Sequence, residues 1–99
     1  MNSGQGSAAP RGIPVAARGR VRVLLFARLR EIAGWATSEV PVAGDGSVDA
    51  LWSMLVERHP GLAGERASLR VARNGVVVAF DCSVSDGDEL AFLPPVGGG

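Results

Sequence analysis

No lysine occurs anywhere in the 99 residues; all ten basic residues are arginine. That excludes Schiff-base chemistry and a lysine nucleophile, and it means the chain cannot receive an isopeptide bond on a lysine of its own. Cys82 is the only cysteine, so an intramolecular disulfide and a cysteine-based metal cluster are both excluded. His59 is the only histidine, which leaves no pair for a metal site or a two-histidine relay. Ten acidic residues balance the ten arginines, and a net charge of zero argues against a general nucleic-acid binder. No apolar run approaches the roughly 20 residues that cross a membrane. No glycine-rich loop follows a strand and opens a helix, so no nucleotide site is expected. The metal expectation is none, and the default compartment is the cytoplasm. No constellation for an independent enzyme is visible.

What is present is one modest domain with two unusual ends. Hydrophobic residues make up 46% of the chain, enough for a core. Residues 1–19 are rich in Gly, Ser, Ala and Pro without any period and read as a disordered leader. Val21–Phe26 alternates as a first strand, Ala27–Ala33 suits a short helix, and Gly34 can end it in the left-handed conformation. Trp35–Ala43 reads as a second strand, which Pro41 places at an edge or near a strand end. Ser47 is a good N-cap, and Val48 to about His59 forms the main helix, with Val48, Leu51, Leu55 and Trp52 or His59 inward. Ala63–Ser68 is a loop or short helical turn. Leu69–Arg73 and Val76–Phe80 are strands joined by Asn74-Gly75, a strong two-residue hairpin signal. After the Ser85–Asp88 turn comes the last strand, Glu89–Leu93. One helix across a mixed four- to five-stranded sheet predicts an α+β grasp architecture over residues 20–94.

The last strand stops at Pro94-Pro95, which cannot continue a ladder and should leave the sheet stiff and extended. Val96, Gly97, Gly98 and Gly99 follow, and residues 95–99 read as a flexible tail. Six residues from Pro94 onward, fully extended, reach roughly 20 Å. Glycines let such a segment enter a channel too narrow for any side chain. On this reading the Gly99 carboxylate is the working group. The alternative is a frayed glycine-rich end.

Alternation carries a second consequence. If Leu25 and Phe92 face the helix, then Leu24, Phe26 and Leu93 point away from it, as does Val77 if Val76 and Val78 face inward. No second helix is available to cover that face, and exposed contiguous apolar surface marks an interface. Other candidates are weaker. Cys82 has no histidine nearby and Asp81 beside it, which suits a structural cysteine rather than a persulfide carrier. His59, before Pro60, is placed to help the late carbonyls of the main helix. Asp81, Asp86, Asp88 and Glu89 lack calcium-loop spacing and read as a solvated turn, or as a docking patch for a basic partner.

Three stretches together resemble a known family: Val21-Arg22-Val23-Leu24-Leu25-Phe26-Ala27-Arg28-Leu29-Arg30-Glu31, the Asn74-Gly75 turn, and Asp86-Gly87-Asp88-Glu89-Leu90-Ala91-Phe92-Leu93-Pro94-Pro95-Val96 ending in Gly98-Gly99. Across Arg20–Gly99 the chain resembles the small subunit of molybdopterin synthase, a ubiquitin-like β-grasp sulfur carrier. Gly97 stands where that family often has another small residue. The resemblance implies that an E1-like adenylating enzyme uses ATP to activate Gly99, and that a sulfur donor protein converts it to a thiocarboxylate. The tail then enters the large subunit of the synthase, in an assembly of two large and two small subunits. There it gives sulfur to cyclic pyranopterin monophosphate to build the molybdopterin dithiolene. Pro94, Pro95, Val96, Gly97 and Gly98 would be the inserted segment. Phe26, Arg30, Val77 and Leu93 would be the docking residues. This chain would bind no cofactor itself and would have no active site of its own. Alternatives are a carrier for thiamin thiazole or cysteine synthesis, a ubiquitin-like protein modifier, and an interaction domain with an inert tail.

Overall fold

The computed structural model describes residues 18–95. Its elements are β1 (Arg20–Leu25), α1 (Ala27–Ala33), β2 (Thr37–Pro41), α2 (Val48–Arg58), a 3-10 segment (Pro60–Ser68), β3 (Arg70–Arg73), β4 (Val76–Val78) and β5 (Glu89–Leu93). The strands form one sheet in the order β2-β1-β5-β3-β4. Only β1 and β5 run parallel; the other neighbours are antiparallel. The expected mixed sheet under one main helix is borne out, and β2, with Pro41, lies at an edge.

The helix forms where its chemistry permits. Ser47 Oγ accepts the Ala50 N–H at 3.0 Å and Asp49 sits in the first turn, so the positive end is both capped and complemented. Just ahead, hydrogen bonds from Ser47, side chain first and backbone second, hold the Asp45 carboxyl below its usual range. Val48, Leu51, Trp52 and Leu55 are buried in one cluster with Val21, Val23, Leu25, Val71, Leu90 and Phe92. The odd residues of β1 and the even residues of β5 thus face the helix, as the alternation predicts.

Several boundaries differ from expectation, each for a local reason. β4 ends at Val78 instead of reaching Phe80. The Ala79 carbonyl accepts the Cys82 N–H at 3.1 Å, and the chain then turns to cover the start of α2. There the Phe80 and Cys82 carbonyls accept the N–H groups of Asp49 and Val48, both at 2.9 Å, satisfying donors that a helix start leaves open. Val76 shares the face of Val78 yet is 65% exposed. It pairs with Arg73 at the turn end of the hairpin, beyond the core pair of Val71 and Val78. Trp35 and Ala36 precede β2 instead of starting it. The Trp35 indole donates to His59 Nε2 at 3.2 Å. His59 therefore supplies only its backbone N–H to the helix end, at 2.8 Å from the Leu55 carbonyl, while its ring ties that end to the approach to β2. Gly19, assigned to the leader by composition, already accepts the Val42 N–H at 3.0 Å. Residues 1–17 lie outside the described residues.

Asn74 and Gly75 both adopt positive φ, +51° and +85°, as the hairpin turn requires. Asn74 does more than turn. Its Oδ1 accepts the Glu89 N–H at 2.9 Å, its Nδ2 donates to Asp88 Oδ1 at 3.0 Å, and its own N–H donates to the Glu89 carbonyl at 2.8 Å. Asn74→Ala keeps only the backbone bond and loses the polar side chain that lets asparagine tolerate the left-handed region. A loss of about 2 kcal/mol is expected, from two exposed hydrogen bonds and the backbone strain. It is read as a lower urea midpoint with unchanged slope.

Candidate functional site

Directly opposed residues on neighbouring strands share a face of the sheet. Away from α2, one row runs Val77–Ala72–Ala91–Leu24–Thr37 across all five strands. The row nearer the end of β5 pairs Arg70 with Leu93. Phe26 follows Leu25, the partner of Phe92, and so lies level with Leu93. At the other end Arg22 is flanked by Glu39 on β2 and Glu89 on β5. The face is thus an apolar strip with charge at one end and the departing chain at the other.

The strip is open. Phe26 is 42% exposed and Val77 58%, and Leu24, Ala91 and Leu93 are half-buried. Ala72, the small residue between Val77 and Ala91, is buried by its neighbours. Phe26 is the N-cap of α1 and makes no side-chain cap. The next residue, Ala27, has φ +48°, a conformation costing a non-glycine residue about 1–2 kcal/mol. The chain accepts that strain where it turns from β1 into α1, leaving the Phe26 ring in solvent. Arg30 is exposed on α1, whose one buried residue is Leu29. Its neighbour Arg28 is tied to Glu65 at 2.9 Å, whereas Arg30 has no ion pair among the described residues.

Pro94 is half-buried and Pro95 exposed. A groove lined by Ser68, Arg70, Leu93, Pro94 and Pro95 marks where the chain leaves the sheet. Val96, Gly97, Gly98 and Gly99 lie outside the described residues. The structure therefore brings Phe26, Val77, Leu93 and Pro94 to one face and its margin. Leu24, Ala91 and Arg70 belong to the same surface. Of these, alternation had indicated Leu24. Ala91 and Arg70 follow from the same alternation once the strand pairing is known, and carry no signal before it.

The remaining candidates lie elsewhere. Cys82 Sγ accepts a hydrogen bond from Arg73 Nη1 at 3.1 Å, and Arg73 also donates to the Ser83 carbonyl at 2.8 Å. Arg73 lies opposite Leu90, at the start of β5, whereas the tail departs after Leu93. Within the acidic turn, Asp86 Oδ1 accepts the Arg20 N–H at 2.9 Å and Asp88 Oδ2 accepts the Ser85 N–H at 2.8 Å. The Asp88 carbonyl accepts the Arg22 N–H at 2.9 Å. The turn is thus a clasp between β1 and β5, and two of its four carboxylates are occupied by it. Among the described residues no group of His, Cys, Asp and Glu is placed to hold a metal ion, and no helix is long and apolar enough to cross a membrane.

A five-stranded mixed sheet grasping one helix, with the last strand running to a proline-led glycine tail, defines a ubiquitin-like β-grasp protein. Residues 23–99 match the ThiS family, and the chain belongs to that family of sulfur carriers. The molybdopterin synthase sulfur carrier subunit of Escherichia coli (strain K12) is 41% identical over 81 residues, covering 80% of this chain and 99% of the relative. Small archaeal modifier protein 1 of Haloferax volcanii is 42% identical over 83 residues, covering 76% and 95%. A crystal structure of that modifier has a TM-score of 0.69 at 38% identity, over 82% of this chain and all of the other. The comparisons thus support a carrier of this group more broadly than the pterin-specific reading, since the relatives divide between a synthase subunit and a protein modifier.

Proposed function

We propose that this chain carries sulfur on its C-terminal glycine as the small subunit of a molybdopterin synthase. The observation that carries the reading is the junction at Leu93. An uncovered apolar strip ends where Pro94-Pro95 leads the chain off the sheet, so a partner that covers the strip also receives the tail. A carboxylate is a poor electrophile. An E1-like adenylating enzyme would join Gly99 to AMP from ATP, releasing pyrophosphate, and sulfide-level sulfur delivered by a sulfur donor protein would displace the AMP to leave a thiocarboxylate. The large subunit, in an assembly of two large and two small subunits, would supply the pocket in which two such sulfurs convert cyclic pyranopterin monophosphate to the dithiolene. Phe26, Val77 and Leu93, with Arg30 at the rim, would dock it. Pro94, Pro95, Val96, Gly97 and Gly98 would occupy the channel.

A second reading is a ubiquitin-like modifier, favoured by the 42% identity to a small archaeal modifier protein. The first step would be shared. A lysine amine of another protein would then take the acyl group as an amide. Because this chain has no lysine, it could not build lysine-linked chains of itself.

Intact mass distinguishes the readings. After incubation with ATP, a sulfur source and the adenylating enzyme, the chain should gain the mass difference of one oxygen replaced by sulfur, localised to Gly99. Loss of that gain on adding the large subunit and the pterin precursor supports the synthase reading. Amide adducts on lysines of other proteins support the modifier. An unchanged mass with a competent enzyme rejects the sulfur-carrier reading, and the absence of amide adducts on added lysine-bearing proteins rejects the modifier.

A further inference from the structure

We propose that Arg70 is a positioning residue at the root of the tail, and that it pairs with a carboxylate on the adenylating enzyme that takes up the tail. The inference deepens the carrier reading and rests on it.

The open face holds three arginines, and they are not equivalent. Arg22 has Glu39 and Glu89 as its cross-strand neighbours, and Arg20 lines the same charged depression with them. Charge at that end is compensated within the chain. Arg70 has Leu93 as its cross-strand neighbour on β5 and shares its groove with Ser68, Pro94 and Pro95, none of them acidic. The acids on nearby elements are engaged elsewhere: Glu65 with Arg28 at 2.9 Å and Asp49 with Arg66 at 3.5 Å. Arg70 is exposed and has no ion pair among the described residues. A guanidinium beside an apolar strip, with no acid of its own chain opposite, complements an apolar partner surface that carries a carboxylate at its edge.

Reach decides what Arg70 can touch. Four residues follow Pro95, so an extended tail sets the Gly99 carboxylate roughly 14 Å beyond it. An arginine side chain spans about half that distance from its backbone, judged by the same bond lengths. Arg70 therefore cannot follow the reacting group into the channel. It acts at the channel mouth, where it fixes the angle at which Pro94 and Pro95 enter. Both destinations of the carrier need the adenylating enzyme, so the assignment does not depend on which one is served.

The test is steady-state adenylation of the full chain by the adenylating enzyme of its own pathway, followed by pyrophosphate release. Arg70→Glu should raise KM for the carrier about 10-fold or more and Arg70→Ala about 3- to 10-fold, in the range for single charges at an interface edge. kcat should stay within about twofold, because the reacting atoms are out of reach. Arg70→Lys should restore most of the affinity. The wild-type KM should rise with salt more steeply than that of Arg70→Ala, since an exposed pair is screened. Thermal unfolding of each variant should match wild type, as no hydrogen bond of Arg70's side chain is lost. An unchanged KM in Arg70→Glu, or a fall confined to kcat, overturns the proposal. No adenylation of the wild type overturns the carrier reading, and this assignment with it.

Discussion

Deletion of Gly99 is expected to abolish sulfur loading completely while leaving thermal unfolding unchanged. The two halves of that result have separate physical causes. The core is closed by Phe92, and among the described residues no buried residue follows it, so loss of Gly99 leaves that core intact. The reaction, in contrast, depends on where the carboxylate sits. One residue fewer withdraws it by about 3.4 Å, more than the reach of a near-attack geometry with the α-phosphate. A tag fused after Gly99 should do the same for a different reason, by turning the carboxylate into an amide. The measurement is intact mass after the loading reaction, beside a melting curve of the same preparation. A truncated chain that still acquires sulfur would show that the working group lies elsewhere.

The second large effect concerns the fold. Phe92 is fully buried, with its ring 5.1 Å from Trp52 and 6.2 Å from Phe80, and it pairs with Leu25 on one side and Val71 on the other. It joins the parallel and antiparallel halves of the sheet to the helix. Phe92→Ala should cost about 3–5 kcal/mol, the sum of lost burial and the cavity left between three elements. A domain of this size is stable by only about 4–12 kcal/mol, so the variant should be marginally folded at 37 °C. Urea unfolding followed by tryptophan emission, with Trp52 as the reporter, measures it. A loss under about 1 kcal/mol would mean that the site collapses far more than its aromatic packing suggests.

Much of this was legible before any coordinates. The period-two geometry of Val21–Leu25 and Glu89–Leu93 separates the residues that meet the helix from Leu24, Ala91 and Leu93 on the other face. Ser47, the helical spacing of Leu51 and Leu55, and Asn74-Gly75 are local signals, and they hold. What failed was long-range. Nothing near Phe80 announces that its carbonyl will cap α2 instead of extending β4. Nothing in Trp35 indicates that its indole will meet His59. The Asp86–Glu89 turn reads as solvated because its partners, Arg20, Arg22 and Asn74, are distant in the chain. Arg70 reads as one more surface arginine until β3 and β5 are paired, when it appears at the base of the tail. Sequence periodicity resolves faces, whereas neighbours across a face appear only with topology.

The position of β5 in the sheet also bears on how the protein is made. β5 lies between β1 and β3, and it is the only strand joining the β1–β2 pair to the β3–β4 pair. Without it the chain holds two separate hairpins and a helix with half a floor, none expected to be stable alone. During synthesis the first strand must wait for the last, a contact spanning most of the chain and slow to form. Folding is therefore completed only once β5 is free to pair with β1 and β3. A chain that terminates before β5 stays unfolded and is removed by proteolysis. Strand order thus makes the folded state a certificate that synthesis has reached the root of the tail.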